Sequence, residues 1–280
     1  MRGAPMESQD VYNASETFGG KLAEALADLW AGARLWHTWC LLGWRDFLQE
    51  TKRTALGPLW AILGLAVTVA ALGYVYGALL SWPPSEGYPY ITAGLTCWFF
   101  ISACIQGGSS VFISSAGILK ERALPISFSV YRYTLRLFIE FCIKFVVFIG
   151  VALLVGIEPT SALLFLIPGL LLYFLNGIWV NLIFGIVGAG FRDVSQLISP
   201  IMLIVFLATP ILWPQTALGG QGAVAEFNPF THFIAVIRDP LLGSVPSHLS
   251  LAVVVATLVG GWLLTFLAFI RYKNKIVFWL

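Results

Sequence analysis

Charge is what this sequence has least of. Only 11% of its 280 residues are charged and 59% are hydrophobic, whereas soluble domains carry about 25% charged residues. One water-soluble core cannot hide so much apolar surface, but a lipid bilayer can solvate it. A net charge of +2 gives no sign of a nucleic-acid footprint. Cysteine is scarce and unpaired: Cys40, Cys97, Cys104 and Cys142 make no CxxC, and three of them fall in apolar stretches, as packing residues do. His37, His232 and His248 lie far apart and make no HExxH, so no metal site is expected. A GxxxxGK[ST] loop is missing, which excludes ATP binding through a Walker A motif. GxSxG and zinc-ligand spacings are missing as well, and no catalytic residue is assigned. Residues 1–20 have no apolar h-region and are read as a flexible cytoplasmic leader, not a signal peptide.

What the sequence does have is long apolar runs. A bilayer core of about 30 Å takes roughly 20 apolar residues of helix, and six stretches qualify: Leu59–Leu80, Tyr88–Ile113, Leu137–Ile157, Ser161–Phe191, Val194–Trp213 and Leu249–Ile270. They are too long and too uniformly apolar for barrel strands, which predicts an all-α, polytopic membrane protein with six transmembrane helices. Basic residues set the orientation. With both termini in the cytoplasm, fourteen of the sixteen Lys and Arg fall inside: Arg2, Lys21, Arg34, Arg45, Lys52, Arg53, Lys120, Arg122, Arg132, Arg136, Arg192, Arg271, Lys273 and Lys275. Lys144 is intramembrane, and Arg238 alone lies outside.

Between Lys21 and Leu42, Leu22, Leu26, Leu29, Ala33, Trp36 and Cys40 recur at spacings of three and four, while Lys21, Glu24, Asp28 and Arg34 lie off that stripe. This predicts an amphipathic helix along the membrane surface, with residues 21–56 forming the interface helix and lead-in to a six-span domain at 57–280. The segment 214–248 carries Phe227, Phe230, Phe233, Ile234, Ile237 and Leu241, a pattern of one or two apolar helices too short to span. Short re-entrant external helices before the last span are the expected form. Glu140 and Lys144 are the ionisable residues well inside a span. They lie four apart, acid before base, which predicts an intramembrane ion pair. Phe, Trp and Tyr number 21, 11 and 9. Trp82 and Tyr88 mark one end of the first two spans, and Trp98, Phe99 and Phe100 lie deeper.

Local motifs then resemble a family. Trp44-Arg45-Asp46 with Leu56-Gly57-Pro58-Leu59-Trp60 is similar to the lead-in of polysaccharide-exporting ABC transporter permeases, the subunits that move O-antigen, capsule or teichoic acid. Gly94-Leu95 with Trp98-Phe99-Phe100 resembles their second span, and Ile118-Leu119-Lys120-Glu121-Arg122 before Pro125 the cytoplasmic turn after it. Arg192-Asp193, Thr209-Pro210-Ile211, and Asn228-Pro229-Phe230 with Arg238 and Leu241-Leu242-Gly243 follow in the family's order. Departures are the long leader and Leu124, where an aromatic residue would precede the proline.

The resemblance implies a homodimeric channel in the cell inner membrane driven by two separate ATP-binding subunits. ATP and magnesium would then sit on that partner, and this chain would be no enzyme and carry no cofactor. It implies coupling to the ATPase through Lys120, Glu121 and Arg122, and a lipid-linked polysaccharide as substrate. Aromatic faces stack well on sugar rings, so Trp82, Tyr88, Trp98, Phe99 and Phe100 are the channel candidates and Arg238 an external gate candidate. Residues alone leave open a permease for a drug or small lipid, or an ion-driven secondary transporter. The latter would call for midplane carboxylates and an inverted repeat.

Overall fold

The computed structural model describes residues 18–51, 56–57, 59–121, 124–191, 193–217 and 223–280. Twelve α-helices follow in order among these residues: α1 (Phe18–Arg34), α2 (Trp36–Thr51), α3 (Leu59–Leu80), α4 (Pro84–Gly108), α5 (Val111–Ser114), α6 (Ala116–Glu121), α7 (Ile126–Val155), α8 (Leu166–Gly190), α9 (Val194–Ala208), α10 (Ala223–Glu226), α11 (Pro229–Leu241) and α12 (His248–Trp279). A 3₁₀ turn at Ser161–Phe165 leads into α8. No strand occurs among the described residues. Helices α3, α4, α7, the 3₁₀ turn with α8, and α12 are each long and apolar enough to cross a membrane. The chain is an all-α, multi-pass membrane protein.

Boundaries follow from local chemistry. Pro84 opens α4, where a missing N–H leaves no bond unmade. Asn228 caps α11 by accepting from Phe230 N at 3.0 Å, with Pro229 following it. Gly156 stops α7: its φ of 81° is left-handed, and its N–H donates back to Ala152 O at 2.9 Å. Helix α7 starts eleven residues before the apolar stretch read from the sequence, because its first three turns carry Arg132 and Arg136 and so escape a hydropathy criterion.

Helix α4 is the central element. Most of it is buried, whereas α3, α7, α8 and α12 bury only a small share of their length. Phe100 on α4 meets Phe138 and Phe141 of α7 and Tyr173 of α8 with ring centroids 5.0–6.0 Å apart. Beside this aromatic core, Asn181 of α8 donates to Thr134 Oγ1 of α7 at 2.9 Å. Such side-chain bonds hold apolar helices together where lipid gives no hydrophobic drive.

The fifth apolar stretch differs from the sequence expectation. Helix α9 has 15 residues, about 22 Å at 1.5 Å per residue and short of a bilayer core. It ends at Ala208 because Pro210 lies just beyond. Yet the chain must change sides here. Helix α8 ends near α12's far end, with Gly190 against Trp279, while α12 begins at the opposite end, beside α11, where His232 Nδ1 lies 3.0 Å from Ser250 Oγ. The irregular stretch Thr209–Trp213 completes the traverse. Its buried backbone is tolerated because protein groups satisfy it, as described below.

Helix α11 is short but not superficial: Ile234, Val236 and Ile237 are fully buried, and it packs on α4, α8 and α12. Tyr173 OH of α8 donates to Phe233 O at 2.7 Å.

Candidate functional site

Two ends of the bundle carry organised chemistry, joined by α4 and α7. At the basic end, α1 and α2 fold against the first turns of α7. A break at Leu35 divides the single helix expected over residues 21–42, and the buried seam is offset from the predicted stripe. Ala25 is fully buried and Leu22, Leu29 and Ala33 pack inward, while Leu26 and Trp36 are exposed. The reason is Gly32, which packs so close to Ser127 that a Cβ would collide with its hydroxyl. Close approach at Gly32 brings the small Ala25 into the seam, and Leu26 and Trp30, with Trp36 and Trp44 beyond the break, are left facing outward.

Asp28 is the key acceptor here. Its two carboxylate oxygens take the Ile126 and Ser127 N–H groups, each at 3.0 Å, which caps α7 from another helix. Ser127 Oγ donates to Asp28 O at 2.8 Å and Tyr131 OH to Leu29 O at 3.2 Å. Lys273 of α12 donates to Glu24 O at 3.0 Å, with its ammonium 4.0 Å from Asp28. On α2, Asp46 receives both Nε and Nη2 of Arg132 at 2.5 Å, a two-point ion pair. A cavity of about 260 Å³ opens beside it, with Gln49, Ser114, Ser129 and Arg136 in its wall. Helices α1 and α2 thus form a platform bolted to α7 and α12. Sequence reasoning missed Asp28, which lay on the presumed solvent face; its position just off the stripe was the available signal.

Lys120 is exposed on α6, which Leu119 anchors by its buried side chain. The side chain of Glu121, and Arg122, Arg192 and residues 1–17, lie outside the described residues.

Inside the bundle, Lys144 Nζ lies 2.7 Å from Glu140 Oε1 and 4.9 Å from the centroid of the Phe99 ring. Trp98 and Phe100 are enclosed: Trp98 packs on Phe206 and Phe230, and Phe100 belongs to the aromatic core. Phe99 is the member of this trio left half-open.

At the opposite end, Arg238 of α11 is buried, with 6% of its surface exposed. Its guanidinium donates to Pro210 O at 2.8 Å and sits 4.0 Å over the Tyr90 ring. Tyr90 OH donates to Pro210 O at 3.1 Å and Trp213 O at 3.3 Å. These two side chains satisfy two carbonyls of the irregular backbone after α9, those of Pro210 and Trp213. Trp82 lies against Tyr90 with ring centroids 5.0 Å apart, and Tyr88 covers Gly73 of α3. Asp239 Oδ1 lies 3.9 Å from Arg238 Nε; burial raises its carboxyl above the usual carboxylate range, against the opposing pull of the Arg238 charge. Tyr90 was missed as the hub, because nothing local links residues 90, 210 and 238. Tyr90→Phe removes the hydroxyl and should cost about 1 kcal/mol, read as a lower thermal midpoint of the purified protein; an unchanged midpoint would show that the two carbonyls need no such donor.

No group of three or more His, Cys, Asp or Glu residues poised to hold a metal occurs among the described residues.

Residues 37–242 match the family described as ABC-2 type transporter. Curated relatives carry the name O-antigen export system permease protein RfbA. The protein from Klebsiella pneumoniae is 21% identical over 225 residues, covering 79% of this chain and 85% of the relative. The protein from Myxococcus xanthus is 20% identical over 226 residues, covering 77% and 85%.

Proposed function

The chain belongs to the ABC-2 type transporter family and is a transmembrane ABC transporter subunit, and on that premise we propose that it exports a lipid-linked polysaccharide, an O-antigen-like or related cell-surface glycan, with energy from ATP hydrolysed on a separate subunit. One observation carries this reading: the match to an O-antigen export permease covers 79% of the chain. In this reading two copies form the conduit, the basic end faces the cytoplasm of a cell with an inner membrane, and two ATPase subunits dock there.

The platform supports that assignment. An ATPase stroke has to reach the spans through a stiff element, and α1 with α2 is fastened to α7 through Asp28 and Arg132 and to α12 through Lys273. Displacing it shifts the ends of both spans together. Lys120, with Glu121 and Arg122, would meet the ATPase from the neighbouring turn.

The test is reconstitution of the chain with its ATPase in bilayers. ATP-dependent movement of a lipid-linked glycan is expected, and a complex that hydrolyses ATP without moving it overturns the substrate. Within the same assay, Asp28→Ala should cost about 1 kcal/mol of stability through the lost cap. It should lower export more than ATP hydrolysis; equal losses of both would argue against a lever at Asp28.

A further inference from the structure

Exposed side chains on most of the spans are what lipid would select. Val67, Leu153, Leu154, Ile167, Val259 and Leu263 all stand well out of the bundle. The seam between the last turns of α4 and the start of α9 departs from this. Ser102 and Gln106 of α4 are half-buried, Ser110 beyond them is exposed, and Ser199 of α9 is exposed. These groups are already arranged to hydrogen-bond: Ser199 Oγ donates to Gln106 Oε1 at 2.9 Å, and Gln106 Nε2 donates to Ser102 Oγ. Below them a part-buried rung, Ser109 Oγ and Ser195 Oγ 3.0 Å apart, ties the same two helices.

The Ser109–Ser195 rung already ties α4 to α9, so the open one is not their only polar link. It also retains capacity. A primary amide offers two donors and two acceptor lone pairs, and Gln106 spends one of each on its neighbours. In hydrocarbon, unspent polar capacity is penalised, and polar groups in spans accordingly face protein or water. Among the described residues no charged side chain hydrogen-bonds to this ladder, so its chemistry is that of neutral hydroxyl recognition. The aliphatic face of α9, with Leu197, Ile201 and Ile204, is turned elsewhere and supplies a lipid or protein contact of its own.

We propose that Ser102, Gln106 and Ser199 form a water-exposed face of the transport path that hydrogen-bonds the hydroxyl groups of a polyhydroxylated chain in transit. The ligand class rests on the glycan-export reading above; the exposure to water does not. Exchange of amide and serine contacts between successive sugar hydroxyls holds the chain weakly at many points, which lets it slide.

Two measurements on the reconstituted complex test this. In a Cys40→Ala, Cys142→Ala background, Ser199→Cys and Ser102→Cys are treated with a charged, membrane-impermeant methanethiosulfonate, with Val67→Cys as the comparison. Because a thiol forms its reactive thiolate in water and not in apolar surroundings, the two ladder thiols should react at least about tenfold faster than Val67→Cys. Rates no higher than that of Val67→Cys mean that lipid or a second copy covers the seam, and overturn the proposal. Gln106→Leu should then lower glycan moved per ATP hydrolysed, and an unchanged ratio overturns the hydroxyl contact. If the unaltered complex moves no glycan, the functional reading fails, and the thiol rates still decide whether the seam is wet.

Discussion

Lys144→Met is expected to destabilise the inserted protein by about 2–3 kcal/mol, more than Lys144→Met combined with Glu140→Gln. The single change leaves a carboxylate inside a span without its cation, and a lone charge at that depth costs on the order of 2.5–3.5 kcal/mol on insertion scales. A fully buried pair loses about 3–5 kcal/mol when one partner is removed. The Glu140 side chain keeps 30% of its surface exposed, so the loss belongs below that range. Removing both charges together leaves a polar amide and a thioether in place of the pair, and most of the loss should return. Thermal midpoints of the two variants in lipid nanodiscs decide the matter. A double variant as unstable as the sum of both single changes would mean that the two charges act independently, and the 2.7 Å contact would then be incidental.

This pair was legible in the sequence for a specific reason: both partners sit on one helix, four residues apart, so local geometry alone brings them together. The same holds for the spans, whose apolar length is a local property. Contacts between helices were not legible. Phe99 beneath Lys144, Asp28 above the first turn of α7, and Tyr90 with Arg238 at Pro210 join residues 45, 98 and more than a hundred positions apart, and no periodicity encodes such pairings. Even where periodicity was informative, tertiary packing altered its reading: the stripe through Leu26 and Trp36 gave way to one through Ala25 once Gly32 approached α7. Hydropathy also overstated α9, since Ile211, Leu212 and Trp213 are apolar whether or not they are helical. The six-span pattern nevertheless describes the path of the chain, because irregular backbone carries it through where α9 stops.

A methyl group at position 188 should be among the most damaging single changes in the bundle. Gly188 lies in the last turn of α8, and a Cβ there would collide with the carbonyl oxygen and carbonyl carbon of Ser109. What it would strike decides the size of the effect. At Gly107 the obstacle is the hydroxyl end of Tyr133, which can swing aside; at Gly188 it is backbone where α4 ends. Ser109 cannot retreat cheaply, since its hydroxyl bonds Gln106 O at 2.6 Å and Ser195 Oγ at 3.0 Å. Overpacking of this kind typically costs about 1–3 kcal/mol, and an unyielding backbone obstacle puts Gly188→Ala at the upper end or beyond. Gly150→Ala on α7, where nothing lies within 4 Å, should leave stability unchanged or slightly higher. Thermal midpoints of Gly188→Ala, Gly107→Ala and Gly150→Ala should therefore fall in that order from lowest to highest. A Gly188→Ala protein as stable as the Gly150→Ala protein would mean that α8 and the end of α4 do not meet as closely as described, and with that contact would go the placement of α9 and its serines beside α4.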